Sequence, residues 1–110
     1  MSPRKQPKWA SRVLAAIHHL ARRCQIRFSA KAAGELALLG FGLDEEDAVQ
    51  VLSTLKLADL VGRVESKHTP EWLYVFKPRV GGITLYVKLI VRGDCVVISF
   101  HEDEEDDEEF

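Results

Sequence analysis

Three residues far apart in the chain, Lys77, Tyr86 and His101, occupy positions that bring an ammonium, a phenol and an imidazole side by side. An imidazole carries protons near neutral pH, a phenol donates a hydrogen bond, and cations hold an anion. Their alignment follows from the run His68 to His101, which has three segments dense in β-branched and aromatic residues: Trp72 to Val80, Ile83 to Arg92 and Cys95 to Glu102. Between them stand Gly81-Gly82 and Gly93-Asp94, each with the length and glycine content of a tight hairpin turn. A three-stranded antiparallel meander is therefore expected.

Two-residue turns fix register. With Val80 facing Ile83, Arg79 meets Thr84 and Lys77 meets Tyr86; with Arg92 facing Cys95, Lys88 meets Ser99 and Tyr86 meets His101. Alternation then places Arg79, Lys88, Ser99 and Arg92 on the face that carries Lys77, Tyr86 and His101. The other face collects Trp72, Tyr74, Phe76, Leu85, Val87, Leu89, Val91, Val96, Ile98 and Phe100, a core wall.

Elements that must hold this sheet lie upstream. Apolar residues recur at helical spacing from Trp9 to Arg23, and the cations of the last turn suit the helix dipole. Gln25 to Phe28 reads as short and extended. Ser29 is a good N-cap for a second helix to about Leu39, stopped by Gly40, and Asp44 with Glu45, Glu46 and Asp47 opens a third. An edge strand around Val61 to Ser66 would complete a sheet of three to four strands. The fold class is α+β, with the N-terminal helices packed on one face of an antiparallel sheet.

The chain has 110 residues, a single-domain length, and an ordinary soluble composition of 46% hydrophobic and 29% charged residues. No apolar run reaches the span of a membrane and no signal-peptide core follows the N-terminus, so the expected location is cytoplasmic. The net charge of −2 conceals an asymmetry, because residues 102 to 109 hold 8 of the 17 acids and leave 9 against 15 Lys and Arg in the rest. A body so basic suits a polyanion such as nucleic acid. Residues 1–102 are expected to form the domain, with 1–8 as a flexible basic arm and 103–110 as a disordered acidic tail. The tail could serve solubility, mimic RNA on its own basic face, or contact a basic partner. Cys24 and Cys95 lack metal-ligand spacing and read as free thiols, and neither a metal site nor a phosphate loop is apparent.

The run HTPEWLYVFKPRVGGITLYVKLIVRGDCVVISFHED, preceded by GLDEEDAVQVLSTL, resembles the MqsR family of toxins from bacterial toxin–antitoxin systems. The resemblance carries on the HT, Trp, KPR, YVK and SFHED pieces, and covers about residues 41 to 103. It implies a RelE-like fold, an mRNA endoribonuclease that needs no cofactor, and a cognate antitoxin as partner. It puts catalytic roles on Tyr86 and on His101, where the family commonly has Lys. A family Lys falls on Gly62 or Arg63, of which Arg63 keeps the charge, and a family Gln becomes Leu73. Lys77 joins Tyr86, His101 and Arg63 as the catalytic set, with Arg79, Lys88, Arg92 and His68 as RNA ligands. The products would be a 2′,3′-cyclic phosphate and a 5′-hydroxyl. A noncatalytic RNA- or partner-binding module on the same fold is the alternative that Leu73 keeps open.

Overall fold

In the computed structural model, which describes residues 7–40 and 42–104, the chain alternates short helices and strands before committing to β structure. The elements are α1 (Lys8–Arg22), β1 (Ile26–Phe28), α2 (Ala30–Ala37) and α3 (Glu45–Ser53), then a 3-10 turn at Leu57–Asp59. The strands β2 (Leu60–Glu65), β3 (Trp72–Phe76), β4 (Arg79–Val80), β5 (Ile83–Val91) and β6 (Cys95–Glu102) follow.

Local chemistry sets the helix ends. Ser29 Oγ accepts from Ala32 N–H at 3.0 Å and so starts α2. Asp44 accepts from Asp47 N–H at 2.9 Å while Asp47 accepts from Asp44 N–H at 3.1 Å, a reciprocal cap that opens α3. The Asp47 N–H and side chain together hold the Asp44 carboxyl below its ordinary range. Helix α1 begins at Lys8, so the end of the expected arm is helical; residues 1–6 lie outside the described residues.

The sheet has six strands and is mixed, where three to four antiparallel strands were expected. Its order is β1-β6-β5-β3-β2, with β4 pairing β5 off that path. Strand β1 runs parallel to β6, Ile26 against Cys95 and Phe28 against Val97. Three residues pairing with a strand so distant in sequence leave only a local signature of extension, which is what Gln25 to Phe28 shows. Strand β2 is the opposite edge, antiparallel to β3 with an irregularity between Leu60 and Gly62.

The expected first strand is broken. Val75 faces Lys88 and Phe76 faces Val87, and beyond the break Arg79 faces Thr84 and Val80 faces Ile83, all in one register. Between them Lys77 turns its N–H to Asp59 O at 2.7 Å, and Pro78, which has no N–H, accepts from Leu85 N–H at 2.9 Å. Gly81 and Gly82 form the turn with φ of 61° and 84°, the left-handed region that glycine enters without strain.

The second hairpin differs in a way that cancels. Its turn has three residues, with Arg92 N–H donating to Asp94 O at 2.8 Å, so Val91 rather than Arg92 meets Cys95. A bulge at Ile98 absorbs the offset, and beyond it Lys88 meets Ser99 and Tyr86 meets His101. Between turn and bulge the faces are exchanged: Cys95 and Val97 enter the core where Val96 and Ile98 were expected. That core joins Ile17 and Leu20 of α1, Leu36 of α2 and Leu52 of α3 to Phe76, Leu85, Val87, Leu89 and Phe100 of the sheet.

Candidate functional site

Tyr86 and His101 are direct cross-strand partners, so their side chains leave the sheet on the same face. Their rings stack with centroids 5.1 Å apart and planes 11° from parallel. His101 Nδ1 lies 2.8 Å from Glu102 O. A carbonyl only accepts, so Nδ1 carries the hydrogen, and in the neutral ring Nε2 is left as the acceptor.

Two lysines of the expected set are placed differently. Lys88, in the next row between Val75 and Ser99, has Nζ 6.0 Å from the Tyr86 ring centroid. Lys77 has its Nζ 3.4 Å from Asp103 Oδ2. Asp103 is buried and donates its N–H to Thr84 O at 2.9 Å. The first residue assigned to the acidic tail is therefore buried against the folded body, held by Thr84 and Lys77. Residues 105–110, on which most of the tail expectation falls, lie outside the described residues.

Helix α2 supplies two polar groups that the sequence reading did not include. Lys31 Nζ donates to Glu35 Oε2 at 2.7 Å and to Ser99 Oγ at 3.0 Å, and Phe100 N–H donates to Glu35 Oε1 at 2.9 Å. Burial pushes the Glu35 carboxyl up, but the Lys31 and Phe100 hydrogen bonds and the charges of Lys31 and His101 outweigh it and hold it below its ordinary range. Glu35 and His101 both line a cleft of about 420 Å³, with Leu38, Leu39, Glu102 and Glu104 completing it. The i,i+4 spacing of Lys31 and Glu35 was legible, but their docking depends on β1, whose parallel pairing aims α2 at the exposed edge of β6. A larger cleft of about 860 Å³ between α1, β1 and α3 contains none of the predicted residues.

Other predicted residues are not brought to the pair. Arg63 faces Tyr74, which faces Leu89 of the core, so it leaves the sheet on the side opposite Tyr86. Its guanidinium lies over Trp72 at 4.0 Å and over Trp9 at 4.4 Å from the ring centroids. On the Tyr86 face β2 presents Gly62, aligned through Val75 with Lys88, and Val64. Arg63, the charge-keeping match to the family Lys, therefore lies on the core side by strand parity, and at Gly62 the Tyr86 face has no side chain. Leu73 does occupy that face, opposite Val64.

Arg79 is on the correct face but turns back on its own hairpin, donating to Thr84 Oγ1 at 3.4 Å and Gly82 O at 3.3 Å. Arg92 sits in the second turn, 3.4 Å from Glu71. His68 is exposed in the β2–β3 loop, where its backbone N–H donates to Ser66 Oγ at 3.2 Å. Trp72, expected in the core, is 38% exposed as one plate of the Arg63 stack. Phe76 is buried, and Tyr74 is half-buried against the core and packs on Trp9.

Among the described residues no group of three His, Cys, Asp or Glu gathers as a metal site, and no helix is long and apolar enough to cross a membrane. Both cysteines are free thiols. No curated protein matches the chain. The family model described as "Motility quorum-sensing regulator, toxin of MqsA" matches residues 10–102, from α1 to the end of β6. By that match over most of its length, the chain belongs to the MqsR family of toxins, whose partner is an antitoxin.

Proposed function

We propose that this toxin is an mRNA endoribonuclease working in the cytoplasm without a metal ion, on a fold that is RelE-like with its helices on one face of the sheet. The stacked Tyr86–His101 pair, set beside Lys88 on one open face, is the observation that carries this reading. The reaction forms an O2′–P bond and breaks the P–O5′ bond. His101 Nε2 takes the 2′-hydroxyl proton, and the Tyr86 hydroxyl delivers its proton to the departing O5′. The imidazolium and phenolate then return to their starting forms by exchange with water. Lys88 offsets the charge that builds on the phosphorane, a contribution of about 3 kcal/mol for one well-placed donor. Lys77 acts through its Asp103 pair, as a phosphate ligand once Asp103 yields. The antitoxin would silence the enzyme by covering this face or a sheet edge.

The test is cleavage of an end-labelled mRNA in EDTA by wild type, His101→Ala and Tyr86→Phe. Wild type should release 2′,3′-cyclic phosphate and 5′-hydroxyl ends, and each substitution should lower the rate about 10²–10⁴-fold. A second reading, a noncatalytic RNA- or partner-binding module, is favoured by Gly62 and Leu73, which place no cation and no amide on the Tyr86 face of β2 and β3. No cleavage by wild type, with salt-dependent RNA binding retained, would establish that module instead.

A further inference from the structure

The cationic face does not end at the sheet. Helix α2 takes over the edge of β6 where β1 stops: Ser29 N–H donates to Val97 O at 2.9 Å, Ser29 Oγ to Ile98 O at 3.4 Å, and Phe100 N–H reaches Glu35 at 2.9 Å. This docking brings Lys31 to Ser99, a residue 68 positions later in the chain. Ser99 is the direct cross-strand partner of Lys88, so the two lysines flank one buried serine from opposite sides.

An ordinary i,i+4 ion pair would leave Lys31 lying along its own helix. Here two of its three N–H donors are committed in different directions, to Glu35 Oε2 at 2.7 Å and to Ser99 Oγ at 3.0 Å. That fixes the direction of the third while the side chain stays 61% exposed. An ammonium already held this way has less freedom to lose when it takes a ligand than a lysine waving in solvent. Glu35 serves as its anchor, and Glu35 is itself tied to the backbone of Phe100, the residue before His101.

We infer that Lys31 is a ligand for an RNA backbone phosphate next to the one bound near Lys88, and that Glu35 is the residue that positions it. The RNA track then runs from Tyr86 and His101 past Lys88 and over Ser99 to α2. This rests on the RNA reading of the site but adds a contact outside the sheet.

Binding of a 2′-O-methyl single-stranded oligonucleotide, which cannot be cleaved by 2′-attack, tests the contact without using catalysis. Affinity is measured against salt concentration for wild type, Lys31→Gln and Glu35→Ala. Lys31→Gln should reduce the slope of log affinity against log salt by about 0.7, the value for one phosphate contact on a single strand. Glu35→Ala should weaken binding at low salt while keeping the slope, because the ammonium remains but is no longer held. A Lys31→Gln slope equal to wild type, in a protein with an unchanged thermal unfolding midpoint, would overturn the assignment. Failure of wild type itself to bind the oligonucleotide would instead overturn the RNA reading on which it stands.

Discussion

Phe100 and His101 are consecutive in β6 and face opposite ways. Phe100 is fully buried in the hydrophobic core, while His101 stacks on Tyr86 on the other side. The same division separates two cations. Arg63, on the core side, is clasped between Trp9 and Trp72, whereas Lys88, on the open side, has a tyrosine ring and a serine for neighbours. A positive charge on a sheet is thus a structural clamp or a potential ligand according to strand parity and what lies across from it. Residue type alone does not decide.

The sharpest way to break this contrast is to truncate the two neighbours separately. His101→Ala should abolish most cleavage, about 10²-fold or more, while leaving the thermal unfolding midpoint near that of wild type. Phe100→Ala should do the reverse, costing about 3–5 kcal/mol of stability through a cavity under the sheet while the molecules still folded at low temperature keep cleaving. Equal loss of stability in both variants, read by denaturant unfolding, would show that the faces are not independent.

A smaller effect is expected at Arg63. Each ring contact contributes about 0.5–1 kcal/mol, so Arg63→Ala should lower stability by about 1–2 kcal/mol and leave cleavage per folded molecule unchanged. If cleavage fell as it does for His101→Ala with stability intact, the placement of Arg63 away from the site would have to be abandoned.

What could be read from the sequence was governed by range. The Gly81-Gly82 turn, the Ser29 and Asp44 caps and the alternation in β5 are local signals, and each appears in the structure as expected. The Tyr86–His101 pairing was also legible, but by a cancellation: the second turn is one residue longer than assumed, and the bulge at Ile98 restores the register before the site. Neither irregularity has a signature in the residues themselves. The parallel β1–β6 pairing, and through it the approach of Lys31 and Glu35, depends on contacts between distant segments that no window of sequence contains. The side of the sheet on which Arg63 emerges depends likewise on pairing, since Leu60 and Gly62 straddle an irregularity that shifts the register of β2.

The two cysteines extend the comparison to a gentler test. Cys24 is exposed at the end of α1, and Cys95 is fully buried where β6 meets β1. Burial, with the adjacent Asp94 charge adding to it, pushes the Cys95 thiol up to about 12 from an ordinary 9.0. The folded state therefore keeps this proton over a range in which the unfolded chain releases it. The stability linked to the thiol is complete below pH 9 and declines as pH rises toward 12, with a limiting slope of about 1.4 kcal/mol per pH unit. A thiol reagent at pH 8 should accordingly titrate one group per native chain and two in denaturant, and Cys95→Ala should flatten the alkaline loss of stability. Reaction of Cys95 as fast as Cys24 in the native protein would mean that the β1–β6 seam opens readily. The seam that aims α2 at the site would then be the weakest part of the core wall rather than a fixed support for it.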